Sequence, residues 1–448
     1  MTVKYQFGDD LTALTDAMAA WRADRNDGRV VVPTGLAPLD DTWQTAAAPD
    51  LLAAILQAFL PERDLTELTT LATTALTATW GKRAPIAVTP KRGKLATRYA
   101  EMATGLTMSA ADWNTALVQS LVDTAQPLAL VAHDANALIA LAEHLDAGNH
   151  LTGYAALATV PPLVQKQFAA ASLAEQVTPV AVDETASLNS LTGWQAEQAA
   201  LSQTTKAAGQ VYVPVDGGQL SVLVPQILSY FLIAQQAPAE ELTIVCASDD
   251  LSEVLAARYA QLLGAPIKRV LAAIGPDSPL AAVAAGAELT TNWPLAKNAL
   301  RLAASFHEQA LPLTSAWADL QTSWSSWLSC APVTTTAGLR EIRRGQTQDQ
   351  MTLGAQTALA SALVQSEQLP DAIVLSTTDP FQTPEAIITG ITDRDDGKTD
   401  FEAVQILRQI VDLKVPRVIT HLKSKELPEL PNYLQQAALA QLQAGLNA

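Results

Sequence analysis

The chain has 448 residues, 49% of them apolar, and a formal net charge of −17. Its length supplies material for two or three cored domains, and its negative field disfavours nucleic acid and anionic lipid as partners. No apolar run approaches the ~20 residues that span a bilayer, and the start, Met1 to Phe7, has no apolar signal core.

The first ninety or so residues read as mostly helical: 51–60 and 65–77 carry apolar residues at helical spacing, with Pro61 between them. A Pro- and charge-bearing connection at 85–94 marks a boundary. Short apolar runs then alternate with long helical patterns. Strands are expected at 128–132, 155–160, 179–183, 242–247, 267–273 and 372–376. Asp134 is placed to cap a helix running to about Leu145, a second helix spans 162–174, and a third spans 250–263 with Gly264 as its C-terminal cap. Such alternation predicts α/β architecture with parallel sheet covered on both faces. Trp317, Trp324 and Trp327 read as one face of a helix, a core or interface stripe, and 393–397 as a solvated acidic turn. Cys246 and Cys330 lack metal-ligand spacing and suit a reducing compartment, so a cytoplasmic location is expected.

Motifs alone carry little chemistry. None of the five histidines pairs with another histidine or a cysteine at ligand spacing, so no metal site is expected. His133-Asp134 follows a predicted strand, where α/β proteins build sites, but a solvent-exposed or capping role is the favoured reading. Asp216-Gly217-Gly218-Gln219 lacks the spaced glycines of a phosphate loop, and no G-x-S-x-G elbow occurs.

Thr104-Gly105-Leu106-Thr107-Met108-Ser109-Ala110-Ala111-Asp112 resembles the H-G-P-T-L-A-F-K-D motif of threonine synthases, with Gly105, Thr107 and Asp112 in register. Leu223-Val224-Pro225-Gln226-Ile227 followed by Ser229-Tyr230-Phe231 is similar to that family's L-V-P-Q-I…Y-Y-F helix. Ser376-Thr377-Thr378-Asp379-Pro380-Phe381 looks like its S-T-A-S-P-Y stretch. Pro266-Ile267-Lys268-Arg269, Val180-Ala181-Val182-Asp183 and Asp27-Gly28-Arg29-Val30-Val31-Val32-Pro33 resemble P-I-K-K, V-A-I-D and D-G-G-L-F-V-P, all in family order.

The resemblance implies the tryptophan-synthase-like pyridoxal phosphate fold: two doubly wound α/β sheet domains around a cleft, with an N-terminal mostly helical domain. On this reading residues 1–95 form the N-terminal domain, 96–125 with 205–448 the large domain and its C-terminal extension, and 126–204 the small domain. The implied cleft residues are Thr104, Thr107, Asp112, His133, Asp134, Asn136, Asp216, Val222, Asp249, Asp250, Ser252, Ser376, Thr377 and Thr378.

Departures from the family fall on its chemistry. Ala111 stands where the family has the lysine that holds pyridoxal phosphate as a Schiff base. The family's S-G-D-T-G reads Ala132-His133-Asp134-Ala135-Asn136, and its G-N-F-G-D phosphate loop reads Asp249-Asp250-Leu251-Ser252-Glu253. An arginine before L-V-P-Q-I becomes Val222, and an asparagine becomes Asp216. Ser376 to Thr378 keep the hydroxyls that in the family include one meeting the pyridine nitrogen, although packing at a strand end explains them as well. The expectation is a pseudoenzyme that retains no cofactor, cannot convert O-phosphohomoserine to threonine, and binds a partner protein or metabolite. The alternative is an active threonine synthase or other lyase with a relocated lysine or new chemistry in the old cleft; Lys91, Lys94 and Lys166 are the nearest lysines by sequence.

Overall fold

The computed structural model describes residues 3–14, 21, 29–105, 107–122, 125–183, 188–307, 311–313, 315–318 and 326–447. Asp27, Gly28, Leu106 and Trp324, named above, lie outside them.

Near the start, β1 (Lys4–Phe7), β2 (Asp10–Leu14) and β3 (Val31–Thr34) form an antiparallel sheet in the order β2-β1-β3. This sheet is an addition to the helical reading; its strands are too short for alternation to stand out. Two helices follow, Ala48–Phe59 and Leu65–Trp80, the second capped by the Asp64 carboxylate accepting from Thr66 N and Glu67 N.

The chain then lays down β4 (Ala87–Val88) and β5 (Arg98–Glu101) and leaves for a second sheet. That sheet holds β6 (Leu128–Ala132), β7 (His150–Ala155), β8 (Val177–Ala181) and β9 (Val211–Val215) in the order β8-β7-β6-β9, all parallel. The strand expected at 155–160 is therefore earlier: β7 ends at Ala155, and a turn of 3₁₀ helix occupies Leu157–Thr159. Strand β8 likewise precedes the expected 179–183 by two residues.

On returning, the chain adds β10 (Leu242–Ala247), β11 (Ile267–Ile274), β12 (Leu328–Pro332) and β13 (Ile373–Ser376). The order is β12-β11-β10-β13-β5-β4, parallel except for the β4 edge. Trp327 sits in the turn entering β12 while Trp317 lies in a short helix, so these two do not share one helix face. Gly264 takes φ +102°, the left-handed region a helix-ending glycine supplies.

The helix Leu220–Gln236 is buried from Leu220 to Ala234 and packs between the large sheet and the N-terminal helices. An all-round apolar helix of this kind belongs in a core. Beyond the antiparallel N-terminal sheet the structure is thus α/β, with helices covering parallel sheets. No described helix is long and apolar enough to cross a membrane.

Candidate functional site

The carboxyl ends of β6, β9, β10 and β13 converge on a cavity of about 490 Å³ between the two parallel sheets. Crevices outside the carboxyl ends of parallel strands are where open α/β sheets bind ligands. Of the residues expected there, Ala111, His133, Asp134, Asn136, Asp216, Val222, Asp249, Asp250, Ser252, Thr377 and Thr378 do line it.

The other expected residues lie elsewhere. Thr104 and Ser376 face a separate cavity of about 790 Å³, and Thr378 borders both. Thr107 and Asp112 are buried against each other: the Asp112 carboxylate accepts from Thr107 N at 3.1 Å and from Thr107 Oγ1 at 2.8 Å. A Cβ on Gly105 would collide with that carboxylate, so this part of the motif is a fold buckle that requires glycine.

Ala111 opens the helix Ala111–Thr115 at the cleft wall. Its position is pinned by Ala110 N donating to Thr377 O at 2.8 Å and by its own N–H donating to Ser109 Oγ at 3.2 Å. Across the cleft, Gln382 Nε2 donates to Asn136 Oδ1 at 3.1 Å, tying the two sheets together. Asp134 caps the helix Ala135–Ala142 by accepting from Ala137 N at 2.9 Å.

Electrostatics set the character of the site. No lysine or arginine is among the described residues that line the cleft, while Asp134, Asp216, Asp249, Asp250 and Glu253 all do. Desolvation, and then the neighbouring Asp250, raise Asp249 to about 6, although its surface is open to the cavity. Desolvation followed by Asp250 raises Glu253 to about 7.

At the N-terminus of the helix Ser252–Leu262, where backbone N–H groups favour an anion, the chain supplies its own carboxylate. Asp250 Oδ1 accepts from Ser252 N at 2.9 Å and from Ser252 Oγ at 2.6 Å. Leu251 reaches this turn with φ +65°, and its N–H donates to Ser248 Oγ at 3.1 Å. Ser248 Oγ in turn donates to Glu253 Oε2 at 2.6 Å.

Beneath the floor lies a buried ionic network that the sequence reading did not assemble. Lys297, fully buried in the helix Trp293–Ala304, donates from Nζ to Asp216 Oδ2 at 2.8 Å. His133 Nδ1 lies 3.7 Å from the same oxygen, and its Nε2 lies 3.0 Å from Glu197 Oε1, to which Tyr212 also donates. Burial alone would lower the His133 pKa, but the Glu197 and Asp216 carboxylates outweigh it and raise it. Burial likewise pushes Asp216 up, and Lys297 with His133 brings it below its usual value. Tyr154 stacks on the imidazole with ring centroids 5.2 Å apart. Two cations four residues apart, Lys297 and Arg301, in a helical run that is otherwise apolar but for Asn298 were the available signal. Among the described residues, no group of three or more His, Cys, Asp or Glu side chains is arranged to hold a metal ion.

No family model matches the chain, and no curated protein matches it. Among solved structures it is similar to threonine synthase from Escherichia coli, at 18% identity and TM-score 0.72 over 98% of each chain. Threonine synthase from yeast matches at 13% identity and TM-score 0.72 over 99% of each. The PLP-bound threonine synthase from Brucella melitensis matches at 14% identity and TM-score 0.73 over 100% of each. The chain has the fold of these enzymes over its whole length.

Proposed function

We propose that this chain is a threonine-synthase-like pseudoenzyme that holds no pyridoxal phosphate, does not convert O-phosphohomoserine to threonine, and has been retained to bind a partner protein or a metabolite. The supporting observation is the lining of the cleft: five carboxylates line it, of which Asp216 is paired with the buried Lys297, and no lysine or arginine does among the described residues. The residues present do not fit the cofactor that the fold implies. Ala111 offers no amine, Val222 offers no guanidinium, and the helix N-terminus suited to a phosphate is taken by Asp250. Each of those features repels or fails to hold an anion, and like charges a few Å apart cost on the order of a few kcal/mol at a partly exposed site.

A relocated lysine has little support. Lys297 is the buried lysine nearest the cleft, but it lies behind Asp216 and is engaged by its carboxylate. Lys91 pairs with Asp371 and Lys166 with Asp400, and Lys94 does not line the cleft. New chemistry centred on His133 is not favoured by a specific observation, since both of its ring nitrogens face carboxylates of the buried network.

The test is spectroscopic. The purified protein is mixed with pyridoxal phosphate, reduced with borohydride and mapped by peptide mass spectrometry. The expected result is no cofactor absorbance beyond that of a surface-lysine control and no site-specific label. A stable adduct reduced onto one lysine, Lys297 above all, would overturn the proposal.

A further inference from the structure

The cavity of about 790 Å³ on the other side of Thr378 lies outside the acidic cleft, although Thr104, Ser376 and Thr378 line it. It opens at the carboxyl ends of β5 and β13, neighbouring parallel strands whose last residues, Glu101 and Ser376, are paired. Ligand sites in open parallel sheets form in this position because successive connections diverge there and leave a crevice.

Its charges are segregated. Glu101 and Asp379 lie on the strand-end wall, close enough that Glu101 helps raise Asp379 to about 6, after the larger effect of desolvation. Desolvation raises Glu101 as well. Lys414 comes from the segment joining the helices Asp400–Ile410 and Arg417–Lys423, Arg417 opens the second of them, and Arg83 lies in the turn after the helix Leu65–Trp80. Arg83 is held over the mouth by donating to Thr104 O at 3.4 Å. In a chain of net charge −17, three cations from two distant stretches of sequence therefore line one cavity.

Among the described residues, no ion pair joins these cations to Glu101 or Asp379. Asp379 Oδ1 accepts from Phe381 N at 2.8 Å, capping its own turn, and charges of both signs line the cavity with no ion pair between them. A simple anion would meet the cations but also two carboxylates, and a simple amine would meet the reverse. A molecule carrying both charges satisfies both sets.

We propose that this second cavity binds a small zwitterion, a molecule bearing an ammonium group and a carboxylate or phosphate, with the ammonium towards Glu101 and Asp379 and the anion towards Arg83, Lys414 and Arg417. The proposal is independent of the reading of the acidic cleft, and it involves no covalent step.

The experiment is calorimetric titration of the full chain with L-glutamate, L-lysine and O-phospho-L-serine, using acetate, inorganic phosphate and ethylamine as singly functional controls. At least one zwitterion is expected to bind saturably with one-to-one stoichiometry, about tenfold or more tighter than any control. Arg417→Gln, which removes the guanidinium but keeps a polar side chain, and Asp379→Asn, which preserves size, are each expected to weaken that binding about tenfold. The cleft variant Asp249→Asn is expected to leave it unchanged. The idea is overturned if no zwitterion saturates, if the controls bind equally well, or if Asp249→Asn abolishes binding while the cavity variants retain it. Thermal melting of each variant separates lost binding from lost fold.

Discussion

Lys297 and Asp216 form a fully buried ion pair, Nζ to Oδ2 at 2.8 Å, directly beneath the cleft floor. Breaking one side of such a pair leaves an uncompensated charge that is almost wholly buried. Lys297→Met is therefore expected to destabilise the fold by about 3–5 kcal/mol, measured by urea denaturation. Lys297→Met combined with Asp216→Asn should recover a substantial part of that loss, because the orphaned anion is then removed. If the double variant is as unstable as the single, the pair is not the source of the effect.

Restoring an amine at position 111 tests whether the cleft lacks one group or several. Ala111→Lys alone is expected to give no more borohydride-fixed pyridoxal phosphate than the wild type, because the anion-bearing walls remain. Adding Asp249→Asn and Asp250→Asn should raise fixation at least about tenfold, each 1.4 kcal/mol of relieved repulsion being a factor of ten. Equal labelling in the single and triple variants would show that the carboxylates do not govern access.

The pH dependence of stability should run opposite to that of most proteins in the neutral range. Asp249 and Asp379 at about 6 and Glu253 at about 7 hold protons in the folded state that an unfolded chain has released. The folded state thus binds more protons than the unfolded state, and stability falls as pH rises from about 4 towards about 7. His133 acts in the same direction: its raised pKa gives stability that is complete below its unfolded value and lost as pH rises through the folded one. Asp216, lowered, withdraws its contribution only in more acidic solution. The melting temperature is expected to be higher near pH 5.5 than near pH 8, and Glu253→Gln should flatten the slope between them. A melting temperature that climbs steadily to pH 8 would contradict this.

Gly105→Ala should destabilise by about 1–3 kcal/mol, because its Cβ enters the Asp112 carboxylate, which Thr107 holds from N–H and hydroxyl. Gly81→Ala is the contrasting case, with a left-handed φ of +62° but no neighbour within 4 Å of the added carbon. Chemical denaturation of the two variants separates collision from backbone strain.

The parallel-sheet fold was legible because buried strands such as Leu128–Ala132 and Leu242–Ala247 read as unbroken apolar runs. The cleft was legible only in part, for two physical reasons. Motif order places residues along the chain, but the two-residue period of a strand end sends Ser376 into one cavity and Thr377 into the other. Lys297 and Glu197 belong to no recognised motif: Lys297 has only its spacing from Arg301 to mark it, Glu197 sits among other polar residues of its helix, and only tertiary packing turns them into partners of Asp216 and His133.

The Asp250 carboxylate at the head of the helix Ser252–Leu262 is an anion tethered by its own backbone. A free phosphate competing for that place faces a rival that never diffuses away, whose local concentration is fixed by a two-residue loop and not by the solution. Free phosphate or sulfate must exceed that effective concentration before it displaces the carboxylate. The helix end therefore carries a competitor written into the polypeptide itself, present in every copy at a strength that the sequence sets.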